Sequence, residues 1–174
     1  MDAAPVLKPS VEEYLRQDRL ADRSSEYYDG EIIPLESSSP NHAKISANLT
    51  VALGVRMRGI PCELFAQGLR IGATSSHYVY PDLTVVCGLR QYTDELEETV
   101  TNPRIVFEVL SPATEDRDHG FKFRLAQRLP SLQEYVLVSQ FAPEVELRRK
   151  MPDGTWVISS IFTYNKEAPR ESAN

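Results

Sequence analysis

Tyr80-Pro81-Asp82-Leu83-Thr84-Val85-Val86-Cys87 and Ile105-Val106-Phe107-Glu108-Val109-Leu110 are two β-prone runs, each carrying one acid. The first holds its carboxylate at the mouth of the run, the second in the middle. Strand side chains alternate faces, so Glu108 shares one with Val106 and Leu110, while Ile105, Phe107 and Val109 take the other. Both faces are apolar, as in a central strand covered on two sides, where an unpaired carboxylate is costly or titrates to the neutral acid. Glu108 therefore needs a compensator: a basic partner, a web of backbone N–H donors, or a metal ion that Asp82 helps to hold.

Downstream, Glu115 to Leu129 reads as one amphipathic helix that ends at Pro130. Phe121, Leu125 and Leu129 form its apolar stripe, and Lys122 falls at the stripe's edge with Asp118 one turn earlier on the same face. A lysine placed there reaches a cleft, or else pairs with Asp118 on the surface for a few tenths of a kcal/mol. Two hard oxygen ligands on neighbouring strands with an amine close by suit metal-assisted phosphodiester hydrolysis. The metal lowers the pKa of a bound water, and the ammonium orients or deprotonates that water and offsets developing charge.

The remaining segments supply the scaffold. Ser10-Val11-Glu12-Glu13 has a capping-box pattern and opens a helix. Asp29-Gly30 between β-prone residues predicts a two-residue hairpin turn, after which Glu31 starts the returning strand, either as a third inward acid or as an exposed one. Ser39-Pro40 predicts a cap and first position of a helix reaching to about Arg58-Gly59. Ile45, Leu49, Ala52, Leu53 and Met57 face its core side, and His42 lies close to that side, lining a cleft or satisfying a local hydrogen bond. Residues 61–66 and 69–71 read as paired strands about Gln67-Gly68, and Gly72 to His77 as a polar loop. The acidic run at Asp94, Glu95, Glu97 and Glu98 reads as a solvated surface. Glu134 to Ser139 is another central strand, Val145 to Arg149 an edge strand, and 165–174 a loose tail.

The 174 residues suffice for one domain, expected over 1–174. The absence of an apolar run near the roughly 20 residues of a membrane span, and of a signal-like N-terminus, leads to a cytoplasmic protein without membrane contact. Cys62 and Cys87 lack metal-ligand spacing and are expected as buried reduced thiols. A net charge of −6 argues against bulk charge as the grip on nucleic acid.

Several stretches together resemble the Uma2 family, a bacterial branch of the PD-(D/E)XK restriction-endonuclease-like superfamily. They are Glu26-Tyr27-Tyr28-Asp29-Gly30-Glu31-Ile32, Ser39-Pro40-Asn41-His42, Tyr80-Pro81-Asp82-Leu83, Phe107-Glu108-Val109-Leu110-Ser111-Pro112, Asp118-His119-Gly120-Phe121-Lys122-Phe123 and Leu129-Pro130-Ser131-Leu132-Gln133-Glu134-Tyr135. The resemblance implies an α+β, restriction-endonuclease-like fold, a central mixed β-sheet flanked by helices, with Asp82 and Glu108 as ligands of Mg²⁺ (or Mn²⁺). The superfamily's lysine ordinarily stands two residues after the second acid, where this chain has Leu110; in the Uma2 pattern Lys122 of the following helix takes that role. The leading expectation is an endonuclease acting on DNA, with Asp82, Glu108, Lys122 and Glu31 at its site. The alternative is a catalytically silent module that binds nucleic acid or protein. Double-strand cutting by one site per chain favours a homodimer.

Overall fold

The computed structural model describes residues 8–163, so the 165–174 tail lies outside the described residues. The class is α+β, with mixed sheets flanked by helices, and the strands divide between two sheets.

Helix α1 (Val11–Leu20) begins where the Ser10 hydroxyl accepts the Glu13 N–H. Strands β1 (Ser25–Tyr28) and β2 (Glu31–Pro34) form the expected hairpin. Asp29 and Gly30 have φ of 47° and 90°, and a Cβ on Gly30 would lie 2.6 Å from Lys8 Cβ, so this position requires glycine. Helix α2 (Pro40–Arg56) is capped by the Ser39 hydroxyl, which accepts the His42 N–H.

Strands β3 (Cys62–Ala66), β4 (Arg70–Thr74), β5 (His77–Val79), β6 (Leu83–Cys87), β7 (Thr99–Val100) and β8 (Pro103–Leu110) follow. Then come α3 (Glu115–Arg117), a π-helical turn (Asp118–Lys122), α4 (Phe123–Ala126), β9 (Glu134–Ser139), β10 (Glu144–Lys150) and β11 (Trp156–Thr163). One sheet runs β2-β1-β5-β4-β7, the other β11-β10-β9-β8-β6-β3, with β4·β7 and β8·β9 parallel.

The expected alternation along β8 holds. Val106 and Leu110 join Val86, Tyr135 and Leu137 in a core shared with Tyr28, Ile71 and Val79 of the other sheet and with Leu125 and Ala126 of α4. Phe107 and Val109 join Leu83, Val85, Val136 and Val138 on the opposite face, against Ile45, Leu49, Leu53 and Met57 of α2. Tyr14, Tyr27 and Tyr78 seat α1 on the first sheet. The inner layer, between the two sheets, is where Glu108 points.

Several local expectations are corrected. The turn at Gln67-Gly68 does not close a hairpin, because β3 and β4 belong to different sheets. With φ of 57° and 74°, both turn residues redirect the chain from one layer to the other. Residues 72–77 are the β4–β5 hairpin, not a loop. Strand β10 pairs on both sides, so the edge is β11. The expected reduced thiols form a Cys62–Cys87 disulfide, since β3·β6 register sets the two residues directly opposite with Cα atoms 4.0 Å apart. Among the described residues no helix is long and apolar enough to cross a membrane.

Candidate active site

The β6·β8 register pairs Leu83 with Phe107 and Thr84 with Val106. Extended by one residue, it sets Asp82 opposite Glu108, and strand alternation turns both toward the inner layer. Asp82 Oδ2 accepts the Val109 N–H at 2.7 Å, which ties the first acid to the strand of the second. His42 Nε2 stands 3.1 Å from the same oxygen, so the helix α2 histidine holds Asp82 from the other side. Cleft lining and local hydrogen bonding, the two expectations for His42, coincide.

Lys122 arrives from the helical segment. Its Nζ lies 2.8 Å from Glu108 Oε1, 3.3 Å from Glu26 Oε1 and 3.5 Å from Asp118 Oδ1. The amine is buried, so the surface-pair alternative does not describe it. The expected continuous helix is interrupted by the π turn, and this break has a geometric use. At 3.6 residues per turn Arg117 and Lys122 would project roughly 140° apart, whereas wider π winding brings i and i+5 toward one face. Both then reach one carboxylate, for Arg117 also contacts Glu26 Oε2 at 3.3 Å. The turn is pinned from the sheet: the Tyr135 hydroxyl donates to Asp118 O at 3.1 Å, and Arg148 Nη1 donates to His119 O at 2.8 Å.

Glu26 is the site residue that sequence reasoning missed. It is fully buried on β1, where its carboxylate also accepts from the Tyr28 hydroxyl at 2.6 Å and the Tyr80 N–H at 3.2 Å. Glu31, expected as a possible third acid, is exposed at the start of β2 and lies outside the cavity lining. The signal for Glu26 was in the strand period: Glu26 and Tyr28 share the inner face, and Tyr27 turns toward α1.

The site opens into a cavity of about 970 Å³ lined by Glu26, His42, Asp82, Glu108, Asp118 and Lys122, with Arg117 on its wall. Burial alone would push the Lys122 ammonium down, but Glu108, Glu26 and Asp118 outweigh it and hold the group well above the ordinary lysine range. Lys122 is therefore a cation at neutral pH. Burial pushes Glu26 up, yet Lys122, Tyr28 and Arg117 more than reverse it. Glu108 goes the other way, raised well above the usual carboxylate range by burial against the pull of Lys122, with Asp118 and Asp82 adding to the rise. Burial raises Asp118 too, and the one cation near its Oδ1 is Lys122 Nζ, at 3.5 Å and short of a hydrogen bond.

Four carboxylates thus face two permanent cations. The surplus of carboxylates over cations and their hard oxygen donors fit a divalent cation. Among the described residues no three acidic, histidine or cysteine side chains form a ready metal cage.

The family model "Putative restriction endonuclease" (Uma2) matches residues 11–173. Two uncharacterized proteins of Synechocystis sp. are 35% identical over 156 residues and 38% identical over 157 residues. The first match covers 89% of this chain and 88% of the relative, the second 90% and 82%. Among solved structures, a "putative nuclease belonging to DUF820" from Anabaena variabilis superposes with a TM-score of 0.68 at 19% identity, over 88% of this chain and 83% of that one, a likeness of fold. The chain belongs to the Uma2 family of restriction-endonuclease-like proteins.

Proposed function

We propose that the protein is a Mg²⁺- or Mn²⁺-dependent endonuclease that hydrolyses DNA phosphodiester bonds, with Asp82 and Glu108 holding the metal. The observation that carries this reading is the buried surplus of carboxylates around one ammonium at the floor of an open cavity. A divalent cation bound there would polarise the phosphate and supply a water of lowered pKa.

The chain's own groups divide the rest of the work. Asp82 is oriented by the Val109 N–H and His42. Lys122, held as a cation by three acids, donates hydrogen bonds and offsets negative charge. Arg117 keeps one amine on Glu26 and adds a second positive charge at the cavity wall. Glu26 holds both cations in place.

The second reading, a catalytically silent nucleic-acid or protein binding module, draws on the same Lys122–Glu108 contact taken as a closed structural pair. Incubation of circular and linear DNA with Mg²⁺ or Mn²⁺ separates the two. Metal-dependent cleavage that disappears in Asp82→Asn, Glu108→Gln and Lys122→Met supports the enzyme. Folded wild-type protein that neither binds metal nor cuts supports the module.

A further inference from the structure

The recess in which the four acids sit also limits what can reach them. Glu26, Glu108, Asp118 and Lys122 are each no more than 6% exposed, and only Asp82, at 18% for its side chain, faces the cavity more openly. A reacting phosphate must enter the recess. A duplex is stiff over about 150 base pairs, so seating one of its phosphates deeply requires bending or opening the rod at the recess. A single strand bends to fit.

Charge around the mouth points the same way. Of the lysines and arginines lining the cavity, Lys122 and Arg117 rest on carboxylates, which leaves the exposed Arg23. Among the described residues the lining itself carries no row of basic side chains to grip two phosphate backbones. What the mouth does offer is Phe141, 65% exposed in the β9–β10 connection. Its neighbour Gln140 anchors that connection beside the acids, donating to Leu110 O at 2.9 Å and accepting from the Ser39 hydroxyl at 2.6 Å. Pro112 and Ala113 are exposed on the same lining. An exposed aromatic held at the rim of a cavity with the acids at its floor is a stacking platform for an unpaired base.

We propose, resting on the nuclease reading above, that the substrate is unpaired nucleic acid, a single strand or the frayed or looped part of a duplex, with a base stacked on Phe141 and the adjoining phosphate at the Asp82–Glu108 floor. One chain with one site then suffices, and no symmetric pair of chains is needed for cutting.

The test has two arms. Fluorescence anisotropy in Ca²⁺ compares a labelled single strand with the same sequence as a blunt duplex, for wild type, Phe141→Ala, Phe141→Trp and the distant exposed control Leu89→Ala. The expected result is single-strand preference, about tenfold weaker single-strand binding in Phe141→Ala, recovery in Phe141→Trp and no change in Leu89→Ala. Equal affinity of wild type and Phe141→Ala for the single strand, or tighter binding of the blunt duplex, overturns the proposal. The second arm maps cleavage of a bubble-containing duplex in Mn²⁺. Cuts confined to the bubble support the proposal. Cuts throughout the paired arms overturn it but leave the nuclease reading intact. Stacking-dependent single-strand binding without any cleavage supports the substrate assignment and removes the nuclease reading instead.

Discussion

The Nζ of Lys122 lies 2.8 Å from Oε1 of Glu108, although the two residues come from a π turn and a sheet strand and both are almost wholly buried. The contact closes a cluster in which each charge depends on its neighbours, so single substitutions there have large, non-additive effects.

Lys122→Met leaves three buried acids without their common cation. The loss of one partner from a buried ion pair costs about 3–5 kcal/mol, and urea denaturation should show a deficit of this size. The Lys122→Met/Glu108→Gln double variant should recover part of it, because the stranded charge goes with the amine.

Glu26 and Glu31 provide a contrast between neighbouring acids of the same hairpin. Glu26→Gln releases Lys122 and Arg117 together and should lower both stability and cleavage. Glu31→Gln alters an exposed strand end and should remain within about 0.5 kcal/mol of wild type with full activity. Equal effects of the two substitutions would remove Glu26 from the site.

Relief of surplus charge should be visible without any substrate. Mg²⁺ or Mn²⁺ should raise the Tm of wild type progressively with concentration, since a ligand bound only by the folded state stabilises it by mass action. In Glu108→Gln this dependence should vanish, and the metal-free Tm should equal or exceed that of wild type, because the acid that burial pushes up has gone.

The pH dependence follows from His42, whose pKa is raised by its hydrogen bond to Asp82 and then by that carboxylate's charge, against its burial. A folded-state value above the unfolded one, about 6.5, means that the contact's stabilisation is complete below that pH and fades as pH rises through the folded value. His42→Ala should therefore be less stable than wild type mainly on the acid side, with the gap closing in alkali. Titrations by calorimetry should show divalent binding strengthening over the same rise in pH.

The Cys62–Cys87 bridge joins β3 to β6 at the end of β6 remote from Asp82. Closing a loop of 25 residues, it should contribute about 2–4 kcal/mol, lost in Cys62→Ser/Cys87→Ser without loss of cleavage. A thiol assay on the native protein should find no free cysteine before reduction and two after.

Much of this arrangement was legible from residue order, because it depends on local rules. Strand alternation placed Glu108 among Val106 and Leu110, Ser10 and Ser39 announced their helices, and Asp29-Gly30 dictated its turn. What escaped was non-local. Whether Gln67-Gly68 closes a hairpin or passes between layers depends on which strands β3 and β4 later find, and the same holds for the partner of Cys62. The π turn escaped because its stabilising contacts come from Tyr135 and Arg148, far along the chain, while the stripe of Phe121, Leu125 and Leu129 suits an ordinary helix. Glu31 stood open between an inward and an exposed acid, whereas the period of β1 turns Glu26 inward beside Tyr28.

Anomalous scattering from crystals of the protein soaked in Mn²⁺ locates the metal. One strong peak is expected within coordination distance of carboxylate oxygens of both Asp82 and Glu108, absent in Glu108→Gln. A fully occupied ion elsewhere with none at this pair, or no ion at millimolar Mn²⁺ with Lys122 still seated on Glu108, would contradict it.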